Sequence, residues 1–291
     1  MTGGILSDEY VKKHIGPNVS YSDHFGGFSD VEEYIRASCK RHGVECSFDV
    51  TAQENPHFKT INYTSFAGMI IMHPLDFSQS MFQMYDAKSD RLNDAGHIDF
   101  IRDRIATKTA SKYKSKSFDG RSFDAVAVLC GHNKFKQHID PRRIDAAVKK
   151  YGKGLAIKPH PITQQGLIDY LSMYSEFATV LPPHADVYDV MARSDMVMTT
   201  HISETALSGL IMGKRIEPMD HVQNRFVGSF SHINHFCFTE ADPIGVIGSI
   251  FASPKSGVIC PQVDIDWKSK VDEYFEYSMG RRNKQKGFYN G

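Results

Sequence analysis

A lysine and a histidine alternate with prolines in Lys158-Pro159-His160-Pro161, directly after the apolar run Leu155-Ala156-Ile157. Proline lacks an N–H and fixes its own φ, so neither a ladder nor a helix continues through that tetrapeptide. The run therefore ends on a cation and an imidazole, two groups suited to an anion. Two other apolar runs end similarly. "AVAVLC" leads into Gly131-His132-Asn133-Lys134, and "MVMTT" into His201-Ile202-Ser203-Glu204. Ser203-Glu204-Thr205 reads as a helix start, where unpaired N–H groups and the positive end of the dipole favour phosphate. His132, Lys134, Lys158 and His160 add cations or donors, and Thr200, Ser203 and Thr205 add hydroxyls. A pyrophosphate or phosphodiester fits such a set. Glu204 has the wrong sign for phosphate but suits the hydroxyl pair of a ribose. Taken singly, each has an ordinary reading: His160 as a strand end satisfied by backbone, Ser203-Glu204 as a plain helix start, Gly213-Lys214 as a C-cap. Their placement together at the ends of neighbouring strands points to a ligand site.

The elements that must position these groups are legible in outline. A strand near Val19–Ser22, a loop Asp23-His24-Phe25-Gly26-Gly27-Phe28 and a helix from Ser29 open the chain. Ser29 and Glu32 have capping-box spacing, and Gly43 stops the helix. "VECSFDV" alternates like a strand, "GMIIMHP" is a buried strand cut off by His73-Pro74, and "HIDFIRDRIA" is helical. Residues 107–122, "TKTASKYKSKSFDGRS", are polar, basic and Ser-rich, and read as a linker. Beyond them strand and helix alternate five times with short connections, the pattern of a doubly wound parallel sheet. Asp140-Pro141 and Gly152 bracket one of the helices, Asp186 caps another, and Gly213 ends a third. The expectation is an α/β protein of two Rossmann-like domains facing a cleft. Residues 1–115 form the first, 116–260 the second, and 261–291 a C-terminal helix with a basic tail that packs back across.

Bulk composition excludes little by itself. The chain has 291 residues, 34 Lys+Arg against 34 Asp+Glu, and 14 His, so any electrostatic signal must be local. Five cysteines include no C-x-x-C, which argues against a zinc ribbon or a disulfide framework and for a reducing cytoplasm. No leader-like segment and no run near the ~18 apolar residues of a membrane span occur. The P-loop, the G-x-G-x-x-G fingerprint and the G-x-S-x-G elbow are all missing. Asp264-Ile265-Asp266 has the look of a metal-binding D-x-D, but its place before the last helix makes capping the better reading, and no metal site is assigned.

"AIKPHP", followed about 40 residues later by "TTHISETALSGLIMGKRIEP", resembles the nucleotide-binding half of GT-B glycosyltransferases. It is most similar to the His-Pro group that includes capsule Kdo-transferases and bacterial sialyl- and polysialyltransferases. The likeness covers about residues 124–220. It implies a nucleotide-sugar donor such as a UDP-sugar, with His160 on the donor's phosphate, Ser203 and Thr205 on phosphate oxygens, and Glu204 on the ribose. It also implies no obligatory metal and no other cofactor. In that fold the catalytic base usually comes from the N-terminal domain, which points to Asp23 or His24, with His73 and Asp76 in reserve. The acidic pair plus Gly of the sialyltransferase pattern is not present.

For the acceptor, Lys112, Lys114 and Lys116 lie in a stretch with Tyr113 and no acid before Asp119, and the tail is basic and aromatic. Such patches suit a polyanion. The reading leans to a hydroxylated base in DNA, flipped into the site as in bacteriophage DNA glycosyltransferases, with the enzyme in the host cytoplasm. The alternatives are transfer to a capsular or lipopolysaccharide glycan, a nucleotide-sugar 2-epimerase, or a non-catalytic nucleic-acid-binding module. A monomer or weak dimer is expected.

Overall fold

The computed structural model describes residues 28–49, 51–53, 60–92, 96–221, 226–228 and 230–289. The expected first strand and the Asp23-His24 loop lie outside the described residues. The chain divides into two compact units, Met1–Lys112 with Arg225–Gly291, and Tyr113–Asn224.

The first unit opens with helix α1 (Ser29–Arg41), which buries Val31, Ile35 and Cys39 along one stripe. The capping box does not form, because no side chain caps this helix. Glu32 is instead fully buried and accepts the Tyr63 hydroxyl at 2.6 Å, while Arg36 reaches the same carboxylate at 3.1 Å. Strands β1 (Glu45–Phe48), β2 (Thr51–Gln53), β3 (Thr60–Phe66) and β4 (Met69–Pro74) follow, then α2 (Phe77–Ser89) and α3 (Gly96–Ala106). Every residue of β3 and β4 is buried.

The second unit is an uninterrupted series: β5 (Phe123–Val128), α4 (His132–His138), α5 (Pro141–Tyr151), β6 (Leu155–Lys158), α6 (Gln165–Ser172), β7 (Thr179–Val180), α7 (Val187–Ala192), β8 (Ser194–Thr199), α8 (Glu204–Ile211) and β9 (Arg215–Pro218). Its five strands are all parallel, in the order β7-β6-β5-β8-β9. Ala125, Ala127, Leu155, Ile157, Met196 and Met198 face α5 and α6 in one core layer that includes Ile144, Ala147 and Leu171. The α/β reading and the doubly wound sheet are thus as the alternation predicts.

Afterwards the chain returns to the first unit as β10 (Phe226–Gly228), α9 (Ser231–Cys237), α10 (Pro243–Ala252), β11 (Val258–Ile259) and α11 (Trp267–Tyr289). The expected boundary at residue 260 is corrected here. β11 pairs antiparallel with β4, and β10 pairs with β2, so backbone ladders tie residues 226–260 to the N-terminal segment. The four-stranded sheet runs β1-β3-β4-β11, with β1 and β3 parallel and the other pairs antiparallel. Helix α11 seats on α1 and α2 through Asp272, which accepts from Tyr34 and Arg41 at 2.7 Å each, and through Ser278, which accepts from Gln83 at 2.5 Å. Asp266 caps α11 by accepting from Ser269 N, and Asp264 accepts from Cys260 N and pairs with Lys270 at 2.8 Å, so the D-x-D serves the backbone.

The boundary between the units, Lys112/Tyr113, falls inside the stretch 107–122 read as a linker, and residues 113–122 are laid along the second unit. Lys116 bridges to Ala185, Phe118 N donates to Asp189 at 2.9 Å, and Arg121 donates to Lys153 O and Thr179 Oγ1. No helix among the described residues is long and apolar enough to cross a membrane.

Candidate functional site at the strand ends

In a parallel sheet wound outward from β5, first through β6 and β7 and then through β8 and β9, strand order reverses between β5 and β8. Crevices at such a switch point, beyond the carboxyl ends of the strands, are where ligands bind. The two strands are tied there side chain to backbone, Thr199 Oγ1 donating to Val128 O at 3.0 Å. The loops leaving them are Leu129–Gly131 into α4 and Thr200–Ser203 into α8. Three of the sequence-predicted clusters therefore emerge on one rim, from β6, β5 and β8 in that order.

The β8 loop opens a helix behind a serine cap. Ser203 caps α8, its Oγ accepting from Thr205 N at 3.2 Å, and Ser203 N donates to Thr200 O at 3.0 Å. Glu204 and Thr205 occupy the first turn and are partly exposed. Thr200 is fully buried and its Oγ1 has no hydrogen-bond partner. A buried hydroxyl without a partner costs free energy that a bound acceptor can recover.

Next to it stands a pair that the motif spacing did not single out. His201 Nδ1 lies 2.6 Å from Asp220 Oδ2, and the same oxygen accepts His201 N at 2.9 Å. Asp220 follows β9 and is only 5% exposed. The chain holds it there by pairing Ile139 with Asp220, by Asp140 N donating to Met219 O, and by Met219 N donating to Thr199 O. Applying the strand-end rule to the last strand, "KRIEPM", as well as to the first three would have found Asp220. From the β5 side come Cys130, Lys134 and His138. Burial and the neighbouring Lys134 charge pull His138 down to about 4, and burial pushes the Cys130 thiol up to about 12. Asp220 acts electrostatically on both.

The β6 cluster is built differently from its expected role. Lys158 is 1% exposed, and its ammonium donates to Pro159 O at 2.8 Å and Pro183 O at 2.7 Å. Burial draws it down to about 8. It pins the two proline-containing loops and is not extended toward a ligand, which corrects its placement among the donor-binding residues. His160 is half-buried, its Nδ1 accepting from Ile162 N at 3.3 Å, with its ring edge-on to Tyr113 at 4.9 Å. Lys214, from the Gly-Lys pair, sits at the opposite end of the sheet, donating to Ala192 O and Ser194 O, while Gly213 closes α8 with φ +72°. Both are structural.

Of the remaining expectations, Asp23 and His24 lie outside the described residues, as does the side chain of His132. His73 is fully buried, Nδ1 to Pro74 O and Nε2 to Asn62, each at 3.0 Å, and Asp76 caps α2 by accepting from Gln79 N. Both reserve bases are therefore engaged in holding the fold. Lys112 is buried in the first unit, whereas Lys114 and Lys116 are exposed on the second. Among the described residues no group of three or more His, Cys, Asp or Glu is arranged to hold a metal ion.

No family model and no curated protein matches the chain. Among solved structures it is similar to Thermosulfurimonas dismutans KpsC, described as a beta Kdo 2,7 transferase, with a TM-score of 0.35 and 13% identity over 64% of this chain and 69% of that one. At that overlap the likeness carries no information about chemistry, which has to come from the rim itself.

Proposed function

We propose that the second unit holds a nucleotide-sugar donor at the β5–β8 switch point and that the protein is a glycosyltransferase. The observation that carries this reading is the β8 loop. A helix opens at the switch point behind a serine cap, with a buried, unpartnered Thr200 hydroxyl and a histidine–aspartate pair beside it. Amides of the first turn of α8 suit a diphosphate, Ser203 and Thr205 offer hydroxyls, Lys134 supplies positive charge from the neighbouring strand end, and Glu204 suits the ribose. His160, on the next strand end, is the residue that the Lys-x-His-Pro likeness assigns to phosphate. Asp23 or His24 is assigned the deprotonation of the acceptor hydroxyl.

For the acceptor, the exposed pair Lys114 and Lys116 favours a polyanion, and DNA carrying a hydroxylated base is the first choice. A capsular or lipopolysaccharide glycan is the second, favoured by the motif spacing shared with capsule transferases. The test is mass spectrometry of hydroxylated-base DNA and of anionic oligosaccharides after incubation with a panel of nucleotide-sugars. A sugar's mass gained by either acceptor supports transfer and identifies the acceptor. Conversion of the donor to its epimer without any acceptor replaces transfer by epimerisation. Failure of every nucleotide-sugar to bind removes the donor site altogether.

A further inference from the structure

The first unit brings two thiols together at the end of α1. Cys39 lies on the buried stripe of that helix with Val31 and Ile35 and is 2% exposed. The chain then turns back on the helix, His42 N donating to Ser38 O and Val44 N to Cys39 O at 3.0 Å each, with Gly43 at φ +62°. Strand β1 follows directly. Its register against β3 sets Cys46 beside Ile61 and Phe48 beside Tyr63. Side chains alternate along a strand, so Cys46 shares a face with Tyr63. That face is turned to α1, since the Tyr63 hydroxyl donates to Glu32 at 2.6 Å and accepts from Arg36 at 2.7 Å. Turn and register thus bring Cys46 under the end of α1, where its thiol is hydrogen-bonded to that of Cys39. Both cysteines are free, and Cys46 is partly exposed.

We propose that Cys39 and Cys46 are a modification site, a dithiol that a hydroperoxide converts to a disulfide. Cys46 is the attacking sulfur, because it is the accessible one, and buried Cys39 resolves the intermediate. The Cys46 thiolate attacks one peroxide oxygen. The O–O bond breaks, the other oxygen leaves and takes a proton, and Cys46 becomes a sulfenic acid. The Cys39 sulfur then gives up its proton and attacks the Cys46 sulfur. The S–S bond forms, the S–O bond breaks, and the departing hydroxide takes that proton as water. The two thiols lose two electrons in all and the peroxide gains them. The surroundings favour this division of roles. The hydrogen bond from Cys39 and the Arg36 charge hold Cys46 below the ordinary thiol value, against burial and the Glu32 charge. Cys39 is raised by the same hydrogen bond and by burial. Facing the pair are Glu32 and Arg36 of α1 and Tyr63 of β3. The other three cysteines, Cys130, Cys237 and Cys260, are buried, and burial pushes each up to about 12. The new bond ties the end of α1 to β1, an outer strand of its sheet.

The test treats the full chain with hydrogen peroxide until half of the Cys46 thiol is consumed, alkylates the remaining thiols, and maps peptides by mass spectrometry without reduction. The expected result is a Cys39–Cys46 disulfide that accounts for most of the consumed Cys46 and is reversed by dithiothreitol. Cys46 is consumed at least tenfold faster than Cys130, Cys237 or Cys260. With dimedone present, Cys39→Ser collects the sulfenic acid adduct on Cys46, and Cys46→Ser collects none on Cys39, both variants keeping the wild-type circular dichroism. Cys46 oxidised mainly to sulfinic acid, or paired with another cysteine, overturns the dithiol. Consumption of Cys46 no faster than of the three buried cysteines overturns its role as the attacking sulfur, as does an equal adduct on Cys39 in Cys46→Ser. The wild-type peptide map decides by itself where a variant does not fold.

Discussion

Replacing Lys158 by Met tests what a lysine is doing at the end of a buried strand. Met has similar length and no charge. The ammonium of Lys158 is drawn from its ordinary 10.5 to about 8 by burial, a difference equivalent to a penalty of about 3 kcal/mol on the charged form at neutral pH. Against that stand two charge-assisted bonds to Pro159 O and Pro183 O, each contributing about 1.5–3 kcal/mol. The opposing terms are of one size, so the stability of Lys158→Met at pH 7 decides nothing. Its pH dependence does. With the folded value below the unfolded one, the unfolded chain binds more protons between about 8 and 10.5, so stability rises with pH through that window. By about pH 9.5 the penalty has shrunk to about 1 kcal/mol, and wild type gains about 2 kcal/mol on the variant relative to pH 7. Urea unfolding followed by far-UV circular dichroism measures this for the second unit, while Trp267, the single tryptophan, reports the first unit separately by fluorescence. A wild-type-minus-variant difference that stays constant from pH 7 to 9.5 would refute the buried, carbonyl-bound ammonium.

Acid should loosen the first unit. His73 is buried neutral and drawn down to about 4, and His232, whose ring centre lies 4.5 Å from it, is also pulled well below its ordinary value by burial. Below the ordinary 6.5 the unfolded chain takes protons that the fold refuses, so stability falls as pH drops, by about 2 kcal/mol at pH 5 for His73 alone. Trp267-monitored urea midpoints at pH 7 and pH 5 check this, and identical midpoints would contradict it. Gly257→Ala should cost about 2 kcal/mol or more, since its φ is +73° and a Cβ would stand 2.4 Å from Met72 O in the β4–β11 ladder. A melting temperature within a degree of wild type would contradict that packing.

The second unit was largely legible because its three central strands β6, β5 and β8 are mostly apolar runs, bounded by Gly, Pro or polar residues, and local signals there agree with the tertiary outcome. The first unit was less so. β11 is two residues long, Val258–Ile259, and nothing in "SGVICP" announces that it will pair with β4, 180-odd positions earlier. Glu32 has capping spacing, yet a partner 31 residues away, the Tyr63 hydroxyl, claims its carboxylate. Lys158 illustrates the limit for sites. Its type suggested an anion, but a lysine's flexible stem serves carbonyls equally well, and only the fold brings Pro183 within reach. Asp220 could have been placed at a strand end from the sequence, but not its partner, since His201 is 19 positions away and the two meet only when β8 and β9 pair.

The opening of α8 is proposed to grip the donor's diphosphate. Hydrogen exchange of the amides of residues 200–206, with and without a saturating nucleotide-sugar, tests it most directly. Exchange there is expected to slow at least tenfold while the Lys214 end of the sheet is unchanged. Protection confined to other segments, with residues 200–206 exchanging as in the ligand-free protein, would contradict it.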